Sequence, residues 1–236
     1  MTGSGEKHPL HHVAVLPPRV GPTPDALPAE AVEVLSDVAM EELSDAVGAL
    51  YTMDAGMRAA YLDMPRVVGA ALTVKAAPGD NLAVYGGVSL ARDGHVLVVD
   101  WRGTSHTCGA GALALASARR RGLIGVVVDG AWRDIEDLAA DRFPIVSRSR
   151  TLVSGGKSAL GELNVPVACG GVVVHPGDAV VADCAGTVIV PREHLDRVVT
   201  ALAQRAGTTP DREAPVAQLI DAYWAQYARA TGGEEA

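Results

Sequence analysis

Two short apolar runs, "HVLVVD" at 95–100 and "IGVVVDG" at 124–130, flank the stretch "GAGALALASARRRG". Apolar residues that follow one another without alternation belong to strands covered on both faces. The stretch between them reads as a helix that Gly122 can end, since glycine is the usual residue just past a helix C-terminus. The three segments therefore form a strand-helix-strand unit, whose strands are parallel and whose crossover is right-handed. That unit fixes an α/β class. In such sheets ligands gather where the carboxyl ends of strands meet loops, and those ends here read Asp100-Trp101-Arg102 and Asp129-Gly130.

At 236 residues with 48% hydrophobic content, the chain can bury a full core as one large domain or two small ones. A net charge of −8 argues against a sequence-independent grip on nucleic acid or anionic lipid, both of which need clustered Lys and Arg. The one dense basic run, Arg119-Arg120-Arg121, sits at a helix C-terminus, where cations suit the helix dipole. Cys108, Cys169 and Cys184 have no spacing of a metal knuckle or disulfide framework and fit a reducing compartment. No apolar run reaches the roughly 20 residues that span a bilayer, and the N-terminus lacks a signal-peptide pattern. The expected location is cytoplasmic.

Along the chain, residues 1–27 carry "GSG", "HPLHH" and "PPRVGPTP" and are expected to form a flexible arm, with His8, His11 and His12 solvated. A main domain is expected over 28–205. It opens with one or two helices bearing Val32, Leu35, Val38 and Ala39 on one face, with Ser36 or Ser44 as a cap at a break. "RVVGAALTVK" reads as a strand, "LAVYGGVSLA" as a short helix, and "FPIVSRS" with "VACGGVVVHPGDAVVADCAGTVIVP" as short strands and tight turns. A helix "REHLDRVVTALAQRA" closes the domain, and 206–236 form a C-terminal helix and tail. Leu219, Tyr223, Trp224 and Tyr227 on that helix gather aromatics suited to a subunit interface.

The chemistry concentrates after the second run. Arg133 and Asp134 are adjacent, so on a strand they would point to opposite faces, and only an irregular backbone lets both address one ligand. An arginine fork pairs with a carboxylate, and an aspartate beside it can hold a hard divalent cation directly or through water. Together they suit a metal-chelated 2-oxo acid. The plainer alternative is that Asp134 caps the helix "IEDLAADRF" while Arg133 makes a surface ion pair. Upstream, "GTSHTCGAGALA" is a Gly-rich helix start whose amides at Gly111, Leu113 and Ala114 are candidates to hold a carboxylate. It lacks the Gly-Lys-Ser/Thr ending of a phosphate loop. Ser105, His106 and Cys108 crowd into the same loop and admit a nucleophile-and-base reading without an evident order of roles.

Taken together, "GDNLAVYGGVSLARDGHVLVVD", "GALALASARRRGLIGVVVDGAWRD" and "GGVVVHPGDAVVADCAGTVIVP" resemble, in order and spacing, the RraA-like family. That family includes the 4-hydroxy-4-methyl-2-oxoglutarate/4-carboxy-4-hydroxy-2-oxoadipate aldolases, class II pyruvate aldolases. The resemblance spans about residues 32–200. It implies a compact αββα fold of the swivelling β/β/α type and a homotrimer, or a dimer of trimers, with sites between subunits. It implies that Arg133 binds the pyruvate portion of a small oxo-acid substrate, that Asp134 anchors Mg²⁺ or Mn²⁺, and that the amides of Leu113 and Ala114 bind the carboxylate. The implied reaction is retro-aldol cleavage of a 4-hydroxy-2-oxo acid through a pyruvate enolate. Oxaloacetate decarboxylation shares that enolate.

One position departs from the pattern. The family's aldolases carry an acidic residue with twenty residues between it and the arginine, and here that position is Ala112. His106 is the candidate acid/base in its place, Asp100 and Asp129 either orient metal waters or satisfy turn amides, and Glu213 is a candidate neighbour-supplied glutamate. A non-catalytic RraA-like regulatory or binding protein is the alternative from another class.

Overall fold

A computed structural model describes residues 17–205 and 213–231. The histidine cluster of the N-terminus lies outside them. In chain order the elements are α1 (Ala29–Asp37), α2 (Met40–Val47), β1 (Arg58–Ala59), β2 (Val67–Lys75), α3 (Leu82–Leu90), β3 (His95–Cys108), α4 (Ala112–Arg119), β4 (Leu123–Trp132), α5 (Ile135–Ala140) and β5 (Ile145–Arg150). There follow β6 (Glu162–Leu163), β7 (Val167–Cys169), β8 (Val172–Val174), β9 (Ala179–Ala182), β10 (Thr187–Val190), α6 (Leu195–Arg205) and α7 (Glu213–Thr231). Among the described residues, no helix is long and apolar enough to cross a membrane.

The expected strand-helix-strand unit is β3-α4-β4, extended on both sides. β2, β3, β4 and β5 run parallel in the middle of a sheet ordered β1-β5-β4-β3-β2-β9-β10, with β6 also on β2. It is a nearly closed, barrel-like α/β sheet. Val96, Val98, Val126, Val127 and Val128 are buried, as strands covered on both faces require.

Alternation along these strands divides the core. Leu97, Val99, Val126 and Val128 face α3, α4 and α5 with Trp101, Leu115, Trp132 and Leu138. Val96, Val98 and Val127 face the other way, onto the β7-β8 hairpin and Met53 and Met57. A third cluster seals α1, α2 and α6 onto β9 and β10 through Leu35, Leu43, Val181 and Leu195. Leu35 and Leu43 are fully buried, and each such side chain contributes about 1.5–3 kcal/mol.

Three local expectations need correction. Residues 19–27 are not a free arm: Arg19 pairs with Glu162 at 2.6 Å, Gly21 N donates to Leu163 O at 2.8 Å, and Leu27 is buried. The short edge strand β6 offers backbone partners that a composition argument does not reveal. Neither Ser36 nor Ser44 caps the break between α1 and α2. Ser36 Oγ bonds back to Val32 O and Ser44 Oγ meets Thr52 Oγ1, while the Arg66 guanidinium donates to the carbonyls of Ser36 and Val38 and bonds Asp183. Finally, "WRGTSHTC" is not a plain loop. It continues β3 as an irregular arm, with register shifts before Thr104 and Cys108 and left-handed backbone at Arg102.

Gly122 ends α4 as expected, at φ +92, where a Cβ would also come within 2.4 Å of Asp93 Cα.

Candidate active site

β4 carries its last residue, Trp132, fully buried, and the chain then turns sharply. The turn is made at Asp134, whose φ of 57 and ψ of 37 are left-handed, a conformation that aspartate tolerates better than most residues. This answers how two neighbours can address one ligand: the left-handed residue breaks strand alternation and brings the carboxylate back beside the arginine. Asp134 Oδ2 lies 3.6 Å from Arg133 Nε.

Asp134 precedes α5, yet its side chain makes no capping bond there. It reaches instead to the preceding helix, where Ala112 N donates to Oδ2 at 3.0 Å. The plainer alternative, a cap of α5, is therefore not what this carboxylate does; it satisfies the first amide of α4 instead. A Cβ at Gly111 would stand 2.3 Å from Asp134 Oδ2 and 2.9 Å from Arg133 Nε, so a larger residue there would push the carboxylate or the arginine side chain aside. Arg133 Nε is buried without a hydrogen-bond partner, a cost that native proteins rarely leave uncompensated.

Around this corner lies an open cleft of about 180 Å³, lined by Trp132, Arg133, Asp134, Glu136, Arg150 and Leu152 among others. Its size suits a ligand of a few heavy atoms. A larger cleft of about 600 Å³ lies beside it, lined by parts of residues 52–62 and by Cys184, and the two share Arg150. The larger one holds neither Arg133 nor Asp134. The adjoining cation and carboxylate, Arg133 and Asp134, mark the smaller cleft as the candidate site.

The other expected residues divide. Ala114 N donates to Gly111 O at 3.1 Å, so of the three amides expected to hold a carboxylate, the expectation now rests on Gly111 and Leu113. Ala112 is half-buried against the α-helical face of the core. His106 is exposed on the outer arm of β3 and takes no part in the bonds that hold the Arg133-Asp134 corner. Cys108 is buried, and burial pushes its thiol pKa up, which opposes the nucleophile reading. The side chain of Glu213 is outside what is described.

Asp100 and Asp129 are directly paired across β3 and β4, on the face of Val98 and Val127. That face is opposite to α4 and α5, so neither reaches Asp134. Asp100 Oδ1 accepts from Arg102 N at 3.2 Å, a turn-amide role. Asp129 belongs to a cluster that the sequence did not announce: it bonds Arg148 through both oxygens and accepts from Gly170 N at 2.8 Å. Arg148 also grips Asp54 at 2.8 and 3.0 Å, and its hydrogen bonds hold the Asp54 carboxyl below the usual range. The cluster pins the strand end that leads into the Arg133-Asp134 turn.

Among the described residues, no group of three or more His, Cys, Asp or Glu side chains converges as a metal cage. Asp134 nonetheless fits Mg²⁺ or Mn²⁺, because Mg²⁺ keeps several waters and is commonly held by one or two carboxylates plus the substrate's oxygens. A lone carboxylate does not suit zinc, whose protein sites gather three or four His, Cys or carboxylate ligands.

The RraA-like (Aldolase/RraA) family model matches residues 40–189, and the chain belongs to that family. A Halalkalibacterium halodurans protein named "Putative 4-hydroxy-4-methyl-2-oxoglutarate aldolase" is 37% identical over 66% of this chain and 74% of its own length. Among solved structures, Streptomyces coelicolor RraAS2, described as an unusual member of the RNase ES inhibitor RraA protein family, matches with TM-score 0.66 at 29% identity. That match covers 78% of this chain and 95% of the other. The RNA-processing inhibitor RraA from Thermus thermophilis matches with TM-score 0.59 at 28% identity, over 66% and 93% of the two chains. The family thus holds relatives named for an oxo-acid aldolase and relatives named for inhibition.

Proposed function

We propose that this chain is a Mg²⁺- or Mn²⁺-dependent carbon-carbon lyase, an aldolase or decarboxylase acting on a small 4-hydroxy-2-oxo acid or related oxo acid. One observation carries the reading: the start of α4 is packed onto Asp134, with Ala112 N 3.0 Å from Oδ2 and a Cβ at Gly111 placed 2.3 Å from the same oxygen, so that the helix start, arginine and carboxylate adjoin.

In this reading Arg133 pairs with the oxo-acid carboxylate and fixes the substrate's plane, since its fork matches two oxygens at once. The amide of Leu113, at the positive end of α4, holds the same carboxylate from the other side. Asp134 holds the divalent cation, and the Ala112 amide keeps that carboxylate oriented. Bound there, the cation would act as a Lewis acid on the 2-oxo group and stabilise the charge that develops when the carbon-carbon bond breaks. Leu152, at the cleft's rim, is 88% exposed, which supports closure of the site by a second copy, as in the homotrimer that the resemblance implies.

Ala112 favours a second reading. Its methyl group accepts no proton, and the family includes proteins named as inhibitors, so a non-catalytic binding protein that keeps the oxo-acid corner is the alternative. Pyruvate release separates the two. Metal-stripped protein resupplied with Mg²⁺ or Mn²⁺ should release pyruvate from 4-hydroxy-4-methyl-2-oxoglutarate or oxaloacetate, and EDTA should abolish it. Metal and oxalate binding without any pyruvate release would instead establish the non-catalytic reading.

A further inference from the structure

A cavity of about 300 Å³ lies between α2 and α6 and shares no residue with the cleft at Arg133 and Asp134. α6 buries Leu195, Val199 and Leu202, and the four-residue spacing of Arg197, Ala201 and Arg205 sets those three on one flank beside the buried face. Ala201 is too small to fill the space between the two arginines. His194, three residues before Arg197, and Tyr51, four residues past α2, reach the same cavity, while Val47, Pro191 and Val198 give it an apolar wall. Four side chains that can donate hydrogen bonds thus meet one concave surface, and no carboxylate of the described residues lines it. In a chain with 28 acidic against 20 basic residues, chance favours the opposite. Among the described residues, neither the Arg197 guanidinium nor the Tyr51 hydroxyl has a hydrogen-bond or ion-pair partner. Glu193 does not line the cavity and pairs with His194 Nε2 at 3.6 Å.

We infer that this cavity is a second binding site, which takes a small organic anion. The anionic group, a carboxylate or a phosphate, pairs with the Arg197 fork and accepts from the Tyr51 hydroxyl and from His194, and the apolar body of the ligand lies on Val47, Pro191 and Val198. Size limits the ligand. Small-molecule sites run from about 300 to 1,000 Å³, so this one stands at the lower edge and suits a single ring or a short branched chain. Chemistry disfavours simpler occupants. An inorganic anion leaves the apolar wall uncovered, and a neutral apolar molecule takes water from the arginine and the hydroxyl without replacing its hydrogen bonds. The net charge of −8 works against a macromolecular polyanion, whose many charges meet the acidic surface around the cavity, whereas a small anion is screened from charges more than about 8 Å away at physiological salt.

Calorimetric titration of the full chain with benzoate, phenyl phosphate, benzyl alcohol and inorganic phosphate tests the site. At least one of the two ring anions should bind at millimolar concentration or below, with benzyl alcohol and inorganic phosphate at least tenfold weaker than the better of the two. Whichever ring anion binds more tightly identifies the anionic group as carboxylate or phosphate. Arg197→Met keeps an apolar stem on an exposed helix flank and removes the fork, so affinity should fall at least tenfold with circular dichroism unchanged. Arg197→Lys keeps the charge without the fork and should restore part of the affinity. The Arg197-dependent binding should persist in Arg133→Met, which separates this cavity from the candidate active site. The inference is overturned if neither ring anion binds at millimolar concentration, if benzyl alcohol binds as well as benzoate, or if inorganic phosphate binds as well as phenyl phosphate. It is overturned as well if Arg197→Met binds as the parent chain does, or if binding is lost in Arg133→Met instead.

Discussion

The amide of Ala112 donates to Asp134 Oδ2 at 3.0 Å, across a gap that Gly111 keeps open. The contact ties the first turn of α4 to the residue that ends β4. It also makes the position where the resemblance implies an acid into a backbone support for the carboxylate.

Gly111→Ala tests that support. The added methyl would stand 2.3 Å from Asp134 Oδ2, so the carboxylate must move by the better part of an ångström. Misplacement on that scale costs about 10²-fold in rate. Metal-dependent turnover should fall by roughly that factor, with the melting temperature changed far less than by a core cavity. Undiminished turnover would show that the α4-Asp134 contact is incidental.

Ala112→Asp asks whether the chain is a weakened aldolase. The amide contact to Asp134 is kept, and the new carboxylate is placed, half-buried, at the start of α4 next to the Arg133-Asp134 corner. General acid-base assistance is worth about 10²- to 10⁴-fold. Cleavage of 4-hydroxy-4-methyl-2-oxoglutarate should rise measurably, whereas no gain in a variant that still binds metal and pyruvate points to a pocket shaped for another reaction.

Much of this was legible in the sequence, and the part that was not has a physical cause. The parallel unit around α4 followed from runs of valine, because burial on both faces leaves no polar alternation. Arg133 and Asp134 stood out as a charged pair after a buried strand. Hidden from the sequence was the left-handed turn at Asp134, since aspartate reads equally well as a helix cap there. The Asp54-Arg148-Asp129 cluster joins positions 94 and 19 residues apart, and no local pattern reports such pairings. Asp100 and Asp129, read from strand ends, were placed on the right strands, but their facing depended on register. Packing of residues 19–27 depended on an edge strand of two residues, too short to see in a pattern.

Arg148→Met removes the cation shared by Asp129 and Asp54. Asp129 is largely buried, with 10% of its side chain exposed, so it is left as a nearly desolvated anion that keeps only the Gly170 amide as a partner. Breaking a buried pair from one side costs about 3–5 kcal/mol, and the 28% exposure of Arg148 places the expected loss near the lower end. Urea unfolding should register a loss of about 2–4 kcal/mol. A change below about 0.5 kcal/mol would mean that the cluster is a surface pair in effect.

Acid should unfold the edge at β6 in a defined window. Hydrogen bonds from Arg19 and then Lys75 hold the Glu162 carboxyl down to about 2, below its ordinary 4.5. A carboxyl depressed in the folded state stabilises fully above its unfolded pKa, and that contribution is lost as the pH falls from there through the folded value. Between pH 5 and 2, Glu162→Gln should therefore show a shallower fall of stability than the parent chain. Parallel acid curves for the two proteins would contradict the pairing.

Binding of Mn²⁺, followed by its electron paramagnetic resonance signal with and without oxalate, tests the central claim most directly. Asp134→Asn is the variant to use, because asparagine keeps the left-handed backbone while removing the negative charge. The parent chain should bind Mn²⁺, more tightly when oxalate is present to share the coordination. The variant should lose at least tenfold in affinity and lose the oxalate effect, with its fold intact by circular dichroism. Equal Mn²⁺ affinity in the two proteins would contradict the assignment of Asp134 as the metal-holding residue.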